Sequence, residues 1–209
     1  FRGSNAVNLQ VAGNGVGLMM VHRLVRLHGG RVRVTSTEGK GTMVCVIFPL
    51  RSRRLDKACP VASPRKQDTG ETRTSLIDFE STDNYTLRLH VSEYELNSYL
   101  ETTCEAFRTY ASIRDIDITR ESGFPYLNVR FDKDKMDSIL KNILSNALKY
   151  TPRGGSIQVR AFADRHVWGV EVEDTGIGIP PEERKKLFRN HFRGSNAVNL
   201  QVAGNGVGL

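Results

Sequence analysis

The chain has 209 residues, 39% of them hydrophobic and 25% charged, with 30 Lys and Arg against 23 Asp and Glu for a net charge of +7. This suits one folded domain with a sizeable core, with or without a flexible arm. Apolar runs such as Met43 to Phe48 are far too short to span a bilayer, and Phe1-Arg2-Gly3-Ser4 carries no apolar signal core. The odd set Cys45, Cys59 and Cys104, without C-x-x-C spacing, argues against a disulfide framework or a zinc site and fits a reducing cytosol.

The chain begins and ends with the same eighteen residues, FRGSNAVNLQVAGNGVGL, at 1–18 and 192–209. Natural duplication drifts, so identity over this length points to a joined chain. Laying the end over the beginning closes a ring of 191 unique residues. We read a circularly permuted domain, or two overlapping pieces in one chain. On that basis 1–50 is the C-terminal part of a domain and 51–73 a basic linker. Residues 74–209 are then the N-terminal part of the same domain, ending in the second copy of the repeat.

In chain order, Gly13-Asn14-Gly15-Val16-Gly17 leads into a helix over 18–28, which Gly29-Gly30 ends. Residues 31–37 and 42–48 read as two strands of a hairpin through Glu38-Gly39-Lys40-Gly41. Arg51, Arg53, Arg54, Lys57, Arg65 and Lys66 come next, interleaved with Pro60, Ser63, Pro64, Asp68, Gly70 and Glu71. With no aromatic side chains beside them to stack on bases, these charges read as a solvated arm, and no nucleic-acid partner is expected.

Ser75 to Glu80 fits the tail of an upstream helix, and Tyr85 to Val91 alternates as a strand. Ser92 and Glu95 form a capping box for a helix through Leu96, Leu100, Cys104 and Phe107. Residues 115–119 and 126–131 read as strands. Asp132 to Tyr150 reads as a helix with Met136, Ile139, Leu140, Ile143, Leu144 and Ala147 on its core stripe. Strands over 156–163 and 167–173 form a hairpin around Asp164-Arg165. Pro180-Pro181-Glu182-Glu183 opens a short helix ending near Phe188, and 190–203 reads as a mobile loop. Helices covering one face of a mixed sheet predict a two-layer α/β sandwich.

Four segments carry the chemistry. Asn142 and Asn146 are four apart on one helix face, and their amide oxygens are hard donors suited to Mg²⁺. Lys149 lies near that face and can reach a phosphate; Tyr150 can pack on a base. Asp174, at a strand end, can accept from an exocyclic amine, and Gly176 and Gly178 let a ring approach the backbone. The glycine run before the first helix makes an anion site from backbone N–H groups and the helix dipole. It lacks the preceding strand of a dinucleotide fingerprint, and Gly39-Lys40-Gly41-Thr42 is a tight turn rather than a phosphate loop. Phe188-Arg189-Asn190-His191-Phe192-Arg193 can anchor a lid over phosphates.

Together these segments, N-x-x-x-N-A-x-K-Y, D-T-G-I-G-I-P, the Phe188 segment and G-N-G-V-G-L, resemble the N, G1, F and G2 boxes of the catalytic ATP-binding domain of sensor histidine kinases, in the Bergerat-type ATPase superfamily. Leu27-His28-Gly29-Gly30 and Ser36-Thr37-Glu38-Gly39-Lys40-Gly41-Thr42 resemble the stretch C-terminal to the G2 box in such kinases. The resemblance covers the ring from about Tyr85 round to Leu50. It implies Mg²⁺ at Asn146 with Asn142 beside it, phosphate at Lys149, adenine on Tyr150 and its amine at Asp174 between Gly176 and Gly178. It places Phe188 under the lid and the triphosphate at Gly13, Gly15, Gly17 and Leu18, with Gly204, Gly206 and Gly208 as the competing second copy. It implies the cofactors ATP and Mg²⁺, a histidine-bearing dimerisation domain and a response-regulator receiver domain as partners, and a membrane-anchored parent with this part in the cytoplasm.

The pattern departs in three places. Ser138 stands where hydrolytic relatives carry a glutamate, which suits phosphotransfer rather than hydrolysis. Asn14 (Asn205 in the second copy) replaces the usual Thr or Ser. None of His22, His28, His90, His166 and His191 has the context of an acceptor histidine. The alternative is an anti-sigma or adaptor-type module that binds nucleotide and a protein partner without phosphorylating histidine. One domain has room for one G2 loop. The first copy, which runs straight into its helix, is therefore expected in place, and the second displaced, disordered, or docked on a neighbouring molecule as a swapped segment.

Overall fold

The computed structural model describes residues 17–51, 88–184 and 187–188. Strands from residues 31–49 and from 117–174 share one sheet. Helix α1 (Gly17–Leu27) leads to strands β1 (Arg31–Thr37) and β2 (Gly41–Pro49). After the linker come β3 (Val91–Glu95), α2 (Leu96–Ile113), β4 (Asp117–Ser122), β5 (Asn128–Asp132), α3 (Lys133–Tyr150), β6 (Ser156–Ala163) and β7 (Val167–Asp174).

The main sheet runs β1-β2-β7-β6-β4, antiparallel except for the parallel pair β4–β6. Its seam is β2 against β7, with Val44 opposite Val172, Val46 opposite Val170 and Phe48 opposite Trp168. These side chains face one core with Val21, Leu24 and Val25 of α1, Leu100, Cys104 and Phe107 of α2, and the Met136–Ala147 stripe of α3. Burying that apolar surface is the main favourable term in folding. It makes the fold the expected two-layer α/β sandwich, a mixed five-stranded sheet with three helices on one face. A separate ribbon pairs β3 with β5. Among the described residues no helix is long and apolar enough to cross a membrane.

Several boundaries differ from expectation. Ser92 lies in β3, not at a helix cap, and α2 starts at Leu96. Glu95 is itself the cap, its carboxylate accepting from Asn97 N–H at 3.1 Å and Ser98 N–H at 2.6 Å. A capping box read from spacing had the right glutamate in the wrong role, because β3 is held extended by its pairing with β5. Residues 88–90, expected within a strand over 85–91, precede β3, which begins at Val91. The strands expected from 115 and 126 begin at Asp117 and Asn128. Residues 181–183 are turns where a short helix was expected. The linker 52–73, the segment 75–80, residues 85–87 and the loop 190–203 lie outside the described residues.

Candidate functional site

Asp132 starts α3, its Oδ1 accepting from Lys135 N–H at 3.1 Å. Burial of the Met136–Ala147 stripe then fixes the helix rotation, leaving Asn142, Asn146, Lys149 and Tyr150 half-buried along its rim. Asn142 Nδ2 donates to Ser138 O at 2.8 Å, which orients the amide and leaves Oδ1 without a donor among the described residues. The Asn146 side chain likewise makes no hydrogen bond among them. The start of α1 closes on this pair: a Cβ added to Gly17 would stand 2.8 Å from Asn142 Oδ1. Leu18 is next in the first turn, half-buried. Lys149 Nζ sits 5.3 Å from the Tyr150 ring centroid, a cation–π contact that gathers both side chains at the end of α3.

Asp174 ends β7 and is 9% exposed. Its Oδ1 accepts from Gly176 N–H at 2.9 Å and Thr42 N–H at 3.2 Å. Oδ2 receives no donor from the described residues. Burial pushes the carboxyl up to about 6, against the pull of those two N–H groups. Gly176 has no room for a side chain: a Cβ there would lie 2.6 Å from Asp174 Oδ1 and 2.7 Å from Tyr150 O. Gly178 holds φ at +66°, and a Cβ there would collide with Thr37 O.

The turn between β1 and β2 is part of this site, which the sequence pattern did not foretell. Gly39 N–H donates to Ile177 O at 2.8 Å, and Ile179 N–H to Ser36 Oγ at 2.8 Å. Ser36 Oγ–H in turn donates to Gly41 O at 2.9 Å. Thr42 reaches Asp174 directly. The only sequence signal for these contacts was the resemblance of residues 36–42 to the stretch C-terminal to a G2 box. On the other side, Ile177 N–H donates to Tyr150 O at 3.2 Å, tying the glycine loop to the end of α3.

Phe188 packs its ring 5.1 Å from that of His22 on α1, so the segment after the glycine loop rests on the helix from the chain start. The structure thus brings together Asn142, Asn146, Lys149, Tyr150, Asp174, Gly176, Gly178, Gly17 and Leu18, with Phe188 against α1. Gly13, Gly15, Gly204, Gly206 and Gly208 lie outside the described residues. Among the described residues no three His, Cys, Asp or Glu side chains cluster so as to hold a metal ion.

Residues 2–52 and 131–209 match the family model described as histidine kinase-, DNA gyrase B-, and HSP90-like ATPase. The chain belongs to this family. As a member it is a catalytic, ATP-binding domain of the sensor histidine kinase kind. The two matched segments are consistent with an exchanged segment order, and both copies of the repeat, but for Phe1, lie within them.

Relatives include histidine kinase P4 of Formosa agariphila, 31% identical over 117 residues that make up 56% of this chain and 8% of that protein. Sensor histidine kinase WalK of Bacillus subtilis is 38% identical over 85 residues, 40% of this chain and 14% of the relative. Histidine protein kinase DivJ of Caulobacter vibrioides is 40% identical over 83 residues, again 40% and 14%. The chain thus spans less than a sixth of the length of each of these three relatives. A nucleotide-free catalytic domain of histidine kinase ThkA aligns over 50% of this chain and 72% of that one, at 25% identity and a TM-score of 0.47.

The donor types and the space at this site suit a nucleotide. A buried carboxylate keeps one oxygen without a protein donor, an asparagine pair keeps its oxygens without donors, and glycines stand where any side chain would collide.

Proposed function

We propose that this domain binds Mg²⁺·ATP across the rim of α3, the glycine loop after β7 and the start of α1. In its parent it would present the nucleotide to a histidine on a separate helical dimerisation domain. The observation that carries the reading is the half-bonded carboxylate of Asp174, buried between two side-chain-free glycines and facing the end of the asparagine helix. Asp174 accepts from the adenine amine, and Gly176 and Gly178 admit the ring. Tyr150 packs on the base. Asn146 and Asn142 hold the cation through their amide oxygens, and Lys149 meets phosphate oxygens. Gly17 and Leu18, with Gly13 and Gly15 before them, offer N–H groups at the positive end of α1. Bound Mg²⁺·ATP supplies the phosphoryl group, and the residues contribute chiefly positioning and charge neutralisation.

In this reading 1–50 and 74–209 are the two parts of one domain joined by 51–73, and a receiver domain takes the phosphoryl group downstream. The test is to mix the chain with labelled ATP and a separately supplied dimerisation domain. Acid-labile phosphate on the histidine is the expected product. ATP binding with a stable partner complex and no phosphohistidine would favour the adaptor-type alternative.

A further inference from the structure

The corner between α2 and β4 holds the end of α3 from behind. The last carbonyls of a helix have no intrahelical donors, and Arg114 supplies them here. Its Nη1 donates to Leu148 O and its Nη2 to Thr151 O, the latter at 3.0 Å. These two carbonyls bracket Lys149 and Tyr150. A planar guanidinium can span both, and its charge suits the negative end of the helix dipole. The next residue reinforces the grip. Asp115 takes the left-handed conformation at φ 55°, and its carbonyl accepts from Gly154 N–H at 2.7 Å; Asp117 N–H donates to Gly155 O at 3.1 Å.

From this clamp the contacts lead to the base pocket and not to the phosphate end. Tyr150 O accepts from Ile177 N–H, within the loop that frames Asp174. A Cβ on Gly155 would stand 2.9 Å from Thr175 Oγ1, which accepts from Ser156 N–H at 2.9 Å. Asn142 and Asn146 lie upstream, where the helix's own hydrogen bonds and the core stripe set the backbone.

We propose that Arg114 is a positioning residue for base recognition, acting through the last turn of α3 on Tyr150 and on the loop beside Asp174. This rests on the nucleotide-binding reading above. It separates two halves of one site: loss of the clamp loosens the base pocket and spares the asparagine and phosphate half.

The test compares the full chain with Arg114→Gln and Arg114→Lys by titration with Mg²⁺·ATP and Mg²⁺·GTP, with melting measured separately. Arg114→Gln should weaken ATP by about tenfold and leave GTP unchanged, collapsing the preference between them. Arg114→Lys, which keeps the charge but cannot span both carbonyls, should fall between. If Arg114→Gln does not fold, Arg114→Lys carries the same comparison. Unchanged ATP affinity in the folded variant, or equal loss of ATP and GTP, overturns the role and leaves Arg114 a stabilising cap. A wild-type chain that binds no ATP, or binds both nucleotides alike, removes base recognition and this role with it.

Discussion

Gly17 and Asn142 meet across the site, with room between them for a hydrogen but not for a methyl group: a Cβ on Gly17 would stand 2.8 Å from Asn142 Oδ1. Because Gly17 opens the helix from the chain start and Asn142 lies on α3, this contact assigns the described glycine position to the first copy of the repeat. Gly17→Ala should therefore push the Asn142 amide aside and weaken Mg²⁺·ATP binding by about tenfold, with a small change in melting temperature. Deleting 199–209 should leave the affinity within about twofold. Calorimetry giving the reverse pattern would assign the site to the second copy.

The Asn146 side chain has no hydrogen bond among the described residues, so its truncation should cost binding rather than fold. Asn146→Ala should abolish Mg²⁺-dependent ATP binding with the melting temperature moved by no more than about 2 °C, as for a surface substitution. Unchanged Mg²⁺·ATP affinity in calorimetry would take Asn146 out of the site.

Ser138 Oγ–H donates to Asp134 O at 2.9 Å and offers no base where hydrolytic relatives place a glutamate. The isolated chain should release phosphate from ATP at a negligible rate. Steady release that Asn146→Ala abolishes would count for an ATPase.

The contacts that sequence could reveal were the periodic ones. The α3 stripe, the β6–β7 hairpin and the α1 helix all repeat or terminate locally, and the structure places each within about two residues of expectation. The glycine boxes were legible because they need particular residue types: Gly178 requires positive φ, and Gly176 lies against a carbonyl. What pattern could not show were single long-range contacts. Thr42 N–H reaches Asp174 across 132 residues and His28 Nε2 reaches Asp132 across 104. A backbone donor or one imidazole leaves no periodic trace in composition. The Ser92 cap misled for a related reason: its spacing to Glu95 is that of a capping box, but strand pairing with β5 took the backbone out of helix geometry.

His28 illustrates such a contact. It is 1% exposed, donates from Nδ1 to Leu24 O at 2.8 Å and accepts at Nε2 from Asp132 N–H at 3.2 Å, linking the end of α1 to the cap of α3. Burial lowers its pKa below 6.5. The unfolded chain therefore takes up a proton that the folded one refuses. The contribution is fully present above pH 6.5 and is lost as pH falls below it toward the folded value. His28→Gln, which keeps a polar group but does not titrate, should be less stable at pH 7.5 and show a flatter loss between pH 7 and 5. Parallel stability curves for the two proteins would exclude His28 as the titrating group.

Asp174 carries the opposite sign and couples stability to binding. Its carboxyl is raised from 3.8 to about 6 by burial, so the folded state favours the protonated form. The stability this provides is complete below pH 3.8 and disappears as pH rises through 6. Holding the carboxylate charged at pH 7 then costs up to about 3 kcal/mol, at 1.36 kcal/mol for each pKa unit. Asp174→Asn removes that cost and keeps an oxygen for the Gly176 and Thr42 N–H groups, so the variant should melt higher than wild type at pH 7. It should also bind ATP more weakly, by about tenfold or more, and lose the preference over GTP, because the charged acceptor for the adenine amine is gone. In wild type, ATP affinity should fall about tenfold between pH 7 and pH 5 as Asp174 protonates. In Asp174→Asn that fall should vanish. The decisive measurement is calorimetry of both proteins at pH 7 and 5 beside their melting curves: a variant that binds ATP like wild type, or an equal pH dependence in the two, would show that the base is read elsewhere.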